Sequence, residues 1–283
     1  MTRPDRSVLV LLCSVVLHLA ASKAVWGQTP GPAPASATTE DEDAIRHPAE
    51  PDFALINLPT TLRLPLHKGN FRLTHRFQGN LRGETFGHQA SNLFGLDNGA
   101  AIGFEFRYAV ARHLQAAVYR TNVGRQTQFY AKYDPIGQSA SMPVSMSFLL
   151  SVEGSNNFRQ ERAPLVGAVL SRRVGDTAAI YAVPMWAHNS AVGSGTSRET
   201  GLVGLGGRLR VRPSLYVVAE VSPRLGGYTA GEPEFGFAIE GSVGGHVFQL
   251  NFTNTTGSTF LQTARGGFAE NLFLGFNIAR KFY

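Results

Sequence analysis

Asn271-Leu272-Phe273-Leu274-Gly275-Phe276-Asn277-Ile278-Ala279-Arg280-Lys281-Phe282-Tyr283 is the stretch that decides the fold. In an extended chain Leu272, Leu274, Phe276 and Ile278 share one face, and Phe273, Gly275, Asn277 and Ala279 share the other. An apolar strand left uncovered in water invites edge-to-edge aggregation. A strand that closes a barrel has no free edge, and it can turn its apolar face to lipid.

The same alternation runs backwards through the chain. Twelve strand-like runs lie between residues 70 and 282. In most of them one parity is apolar, as in Ile102, Phe104, Phe106 and Tyr108, or Val144, Met146, Phe148, Leu150 and Val152. The opposite parity is small or polar: Gly103, Glu105 and Arg107; Ser145, Ser147, Ser151 and Glu153. This is period two with one wet and one apolar face, over lengths that suit a tilted bilayer-spanning strand. The expected fold class is all-β, a single transmembrane antiparallel β-barrel of about twelve strands.

Composition agrees. Of 283 residues 43% are hydrophobic and only 16% charged, against about 25% charged in soluble domains. The connections carry a second signal. Val174–Thr177, Arg212–Ser214 and Gly244-Gly245 are short and rich in turn formers, and from the fifth connection onward long and short segments alternate. Barrels of the outer membrane combine short periplasmic turns with long outer loops. If the first strand runs outward, the short turns and both termini fall on the periplasmic side. Two connections break the rule, a short outer one at 122–126 and a long inner one at 134–143. A soluble sandwich would lack this asymmetry, and a propeller would need a fixed repeat, which is not visible.

Three parts are expected. Residues 1–27 read as a signal peptide: Arg3 and Arg6, then an apolar core from Ser7 to Ala21. Residues 28–57, rich in Pro, Ala, Thr and acid without an apolar period, read as a disordered linker. Residues 58–283 read as the barrel. Cys13, the one cysteine, lies in the expected signal peptide. The processed chain is therefore expected to hold no disulfide, thiolate metal site or cysteine nucleophile. His67, His75 and His88 lack metal-ligand spacing, and no cofactor is expected.

The formal charge of +6 is unevenly divided. Glu40, Asp41, Glu42, Asp43, Glu50 and Asp52 face only Arg46 between residues 28 and 58, so the remainder is strongly basic. Nucleic acid is not expected as a partner of an exported chain. Membrane lipid, lipopolysaccharide, the barrel-assembly machinery and a small solute are.

Four stretches resemble an uncharacterised bacterial outer-membrane β-barrel family, a domain of unknown function. They are Leu64-Pro-Leu-His-Lys-Gly-Asn-Phe-Arg-Leu-Thr-His-Arg-Phe77, Leu93-Phe-Gly-Leu-Asp-Asn-Gly-Ala100, His246-Val-Phe-Gln-Leu-Asn-Phe-Thr-Asn254 and Leu274-Gly-Phe-Asn-Ile-Ala-Arg280. The resemblance implies an outer-membrane barrel and transfers no activity, substrate or site residue. The closing aromatic in phase with the lipid-facing set is Phe282 rather than Tyr283.

Arg72, Arg76, Glu105, Arg107, Glu153, Arg208, Arg210, Glu220 and Glu240 take the lumen-facing parity. They fit either a charged lining that selects anionic solutes or a plugged interior held by Arg–Glu pairs, and the second is favoured. Unpaired, such groups would be costly to bury. His188 and Ser190 have the two-residue spacing of an outer-membrane phospholipase, which would let imidazole deprotonate the hydroxyl, but that enzyme's flanking pattern is missing. Gly201-Leu-Val-Gly204-Leu-Gly206-Gly207 does not open a helix, as a phosphate-binding loop must, and reads as small inward residues of a curved sheet. The expected function is a passive channel or structural barrel without enzyme activity. The alternatives are an outer-membrane lipid hydrolase and a surface binding or adhesion protein using the long loops.

Overall fold

The computed structural model describes residues 47–83, 85–192 and 198–283. The expected signal peptide and the linker as far as residue 46 lie outside the described residues. Among the described residues thirteen strands form one antiparallel sheet. They are β1 (Gly69–Asn80), β2 (Ala100–Ala111), β3 (Leu114–Thr121), β4 (Thr127–Ile136), β5 (Ser145–Gly154), β6 (Gln160–Val174) and β7 (Ala178–His188), followed by β8 (Glu199–Arg212), β9 (Leu215–Ser222), β10 (Arg224–Gly227), β11 (Glu234–Val243), β12 (His246–Thr253) and β13 (Phe273–Lys281). Consecutive strands pair, apart from the short β10, which pairs with β8 while β9 pairs with β11, and β13 returns to β1 with Lys281 opposite Asn70 and Phe276 opposite His75. The ring is closed.

β10 is the continuation of β9. Both pair with β8, and they are separated by Pro223, which has no N–H for the ladder. Counting them as one, the barrel has the twelve strands read from the sequence.

The alternation sorts side chains as expected. Phe104, Phe106, Phe129, Phe148, Leu150, Val217, Ile239, Phe248 and Leu250 are exposed around the outside. Gln115, Gln128, Lys132, Ser147, Glu153, Glu240, Asn251 and Asn277 are buried inside. Phe282 stands outward and half exposed, its N–H bonded to the Gly69 carbonyl. One end of the barrel carries the tight connections 112–113, 175–177, 213–214 and 244–245, and the other carries 81–99, 189–198 and 254–272. Of the two irregular connections, 137–144 is the one longer link at the tight-turn end, whereas 122–126 is not alone at the other end, where 155–159 is equally short.

The linker needs correcting. Residues 47–57 are not a solvated tether, because Phe53, Leu55, Ile56 and Leu58 are fully buried within the barrel. The first barrel strand begins at Gly69, and residues 58–64 continue the buried segment. The physical reason is that a buried coil needs no apolar period when side chains of the wall bond its backbone.

Candidate functional site

The lumen is filled by the segment 47–64, which enters from the tight-turn end. Tyr216, at the start of β9, donates its hydroxyl to the Pro48 carbonyl at 2.8 Å. Further in, the segment forms a narrow reversal, with the Leu55 N–H bonded to the Leu58 carbonyl at 2.8 Å. The reversal leaves backbone donors pointing at the wall, and Glu220 meets them. One carboxylate oxygen accepts from the N–H of Ile56 at 2.9 Å and of Leu58 at 3.2 Å, and the other from Asn57 at 2.7 Å. Buried backbone groups must find partners somewhere, and an ionised acceptor makes the stronger bond.

The carbonyls of the segment are met by cations and amides. Arg72 donates to Ile56 at 2.7 Å and Arg208 to Ala54 at 2.8 Å. Lys132 donates to Thr60 and Leu62 at 2.9 Å each. Gln249 donates to Leu55 at 2.9 Å and Gln115 to Leu62 at 3.0 Å. The side chain of Asn57 donates to Glu234 at 3.0 Å and accepts from Arg76 at 3.3 Å. Arg107 lies over the Phe53 ring, 4.9 Å from its centroid. At the mouth Glu50 pairs with Arg173 at 3.1 Å and accepts from the Tyr181 hydroxyl at 2.8 Å. Beside it, burial and then the Arg173 charge hold His47 below the usual imidazole range.

Glycines shape the seat. A Cβ on Gly204 would lie 2.5 Å from a Leu58 methyl, and one on Gly206 2.5 Å from a Leu55 methyl. The glycine-rich run of β8 therefore supplies sockets for two leucines.

The other end is closed separately. The connection between β12 and β13 turns inward as the short helix Phe260–Arg265, begun by a reciprocal cap between Thr259 and Gln262. Phe260 packs edge-on against Tyr130, centroids 5.2 Å apart, and Glu153 accepts the Leu261 N–H at 2.8 Å.

Of the nine residues expected to line the lumen, Arg72, Arg76, Glu105, Arg107, Glu153, Arg208, Glu220 and Glu240 are buried inside. Arg210 is only half buried and donates to the Pro213 carbonyl near the rim. The pairing is partly of the expected kind. Arg208 on β8 and Glu240 on β11 stand 2.9 Å apart over the intervening β9, but Glu105 and Arg107 pair along one strand at 2.7 Å. Asp52, Lys132, Asp134, Glu234 and Arg173 were not among the nine. Lys132 and Asp134 share the inward parity of Tyr130, which would have found them. His188 and Ser190 are not brought together: His188 reaches Glu199 at 3.5 Å, and Ser190 bonds Thr200 at 2.7 Å.

Residues 52–282 match the family described as a membrane bound beta barrel domain, DUF5777. The chain belongs to that family. No curated protein matches the DUF5777 chain. Among solved structures it is similar to the KdgM porin in complex with disordered oligogalacturonate, at 10% identity and a TM-score of 0.49, covering 76% of this chain and 99% of that one. It is also similar to the COG4313 outer membrane channel from Pseudomonas putida F1, at 11% identity and a TM-score of 0.48, covering 77% and 97%. A mutant of the Rh. blastica porin aligns at 15% identity and a TM-score of 0.35, and the DUF5777 chain spans 58% of its length.

Proposed function

We propose that this DUF5777 protein is a bacterial outer-membrane channel held shut by its own N-terminal segment, with the tight-turn end and both chain ends on the periplasmic side. The observation that carries this is the Glu220 carboxylate, which gathers three consecutive backbone N–H groups of the segment at the centre of the lumen. A freely open pore would leave such a carboxylate to water or to a passing cation. Here it is spent on the chain itself, and Arg72, Lys132, Arg208 and Gln249 complete the seat. Conduction therefore requires the segment to withdraw. The separation of His188 from Ser190 gives the hydrolase reading no support.

Planar-bilayer recording tests the proposal. The full chain is expected to be silent for most of the trace, and a chain lacking both residues 47–64 and the inward helix Phe260–Arg265 to show repeated conductance steps, since removal of the segment alone leaves the second closure in place. Steady conductance from the full chain, or silence from a shortened chain that still migrates as a folded barrel, would overturn it.

A further inference from the structure

The loop between β1 and β2 does not stand over the lumen. It holds the helix α1 (Phe86–Ser91) and the tight 3-10 turns Leu93–Asn98. Gly95 lies so close to Gly79 that a Cβ at position 79 would collide with its backbone. Gly79 has the parity of Phe71, Leu73, His75 and Phe77, the outward set of β1, and the register shift against β13 between Arg76 and Asn80 spans an even number of residues on each strand, so it keeps that parity. The turns therefore lie against the outside of the wall. They are held there: Leu93 and Phe94 have φ of 47° and 55°, a region that bulky residues enter only where their surroundings impose it. Gln89 ties α1 to the strand by donating to the Asn80 carbonyl at 2.7 Å.

The side chains turned outward are apolar. Phe86 is 79% exposed, Leu93 54%, Leu96 47% and Phe94 40%. Phe86 and Phe94 meet edge-on with centroids 6.0 Å apart. Contiguous apolar surface of this kind marks an interaction site. Its occupant follows from continuity, because the patch extends the lipid-facing belt of β1 and β2, where Phe77, Ile102 and Phe104 point outward. Asn92, Asp97 and Asn98 supply the polar groups that an interfacial segment needs at its head-group side.

We infer that residues 86–98 form an interfacial membrane anchor, with Phe86, Leu93, Phe94 and Leu96 inserted among the acyl chains of the leaflet at the long-loop end. Depth-dependent fluorescence tests it. The chain carries Leu96→Trp, with Trp26→Phe and Trp186→Phe to remove other emission, and is reconstituted into vesicles of phospholipid with brominated acyl chains. The reporter should lose most of its emission to bromine and little to aqueous iodide. Quenching by iodide but not by bromolipid would place the loop in water and overturn the inference. Protection from both quenchers, relieved as protein is diluted in the vesicles, would show a second copy on the patch and overturn it equally. Adding Gly79→Leu, which displaces Gly95, should abolish the bromolipid quenching while the barrel keeps its heat-shifted migration. Unchanged quenching would refute the role given to Gly79.

Discussion

Glu220→Gln perturbs the seat with the least change of shape. Its two oxygens serve three N–H groups, Ile56 and Leu58 on one and Asn57 on the other. Glutamine keeps one acceptor oxygen, so whichever way the amide turns, its NH2 faces at least one backbone donor. A charge-assisted bond is worth about 1.5–3 kcal/mol and a stranded buried donor costs about 1–3 kcal/mol. These overlap, so a combined loss of about 2–4 kcal/mol is expected, or roughly 30- to 1,000-fold in the ratio of seated to withdrawn segment. The lumen will not empty, because Phe53, Leu55, Ile56 and Leu58 are each fully buried, contributing roughly 1.5–3 kcal/mol apiece. The readout must therefore detect a minor population. Thr60 is fully buried in the segment, and Cys13 is the chain's one cysteine. Thr60→Cys in a Cys13→Ser background reacts with a water-soluble maleimide only when the segment withdraws. Its labelling rate should rise with Glu220→Gln by the same factor of roughly 30 to 1,000. Glu161→Gln, at an exposed carboxylate 3.6 Å from Arg265, should leave the rate unchanged. Equal labelling with and without Glu220→Gln would refute the reasoning.

Three further outcomes follow from the geometry. Gly204→Val should overpack the Leu58 socket by about 1–3 kcal/mol and speed labelling at Thr60→Cys, and adding Leu58→Ala should recover part of the loss in a double-mutant cycle. Glu153→Gln should expose the second closure without moving the first: labelling at Ala264→Cys rises and labelling at Thr60→Cys does not. Unboiled protein should migrate on electrophoresis as a compact species that boiling shifts, and identical migration of the two samples would argue against the closed barrel.

The strands were legible because the physical demand on them is repetitive. Each residue between Ala100 and Ala111 faces either lipid or lumen, so the alternation of Ile102, Phe104 and Phe106 with Gly103, Glu105 and Arg107 announces both faces at once. Eight of the nine candidate residues carry that inward parity and are buried. Arg210 fell short because a register shift between Arg210 and Arg212 ends the regular pairing at the rim. The inner segment was not legible as structure. Its backbone bonds are not periodic, and its partners come from β1, β2, β3, β4, β8, β9, β12 and β13. Asn57 and Glu220 stand 163 positions apart, and no local pattern encodes their meeting. A signal did exist in the cluster Phe53, Leu55, Ile56 and Leu58, which is out of place in a solvated tether. The inward helix also had one, since Thr259 and Gln262 have the spacing of a capping box.

Backbone hydrogen exchange at Ile56, Asn57 and Leu58, resolved by NMR in detergent micelles, asks most directly whether the barrel is filled by its own chain. A seated segment gives these amides slow exchange, comparable with strand amides such as Phe106 and Leu250. Exchange at the rate of an unstructured peptide would mean that the lumen is empty of it.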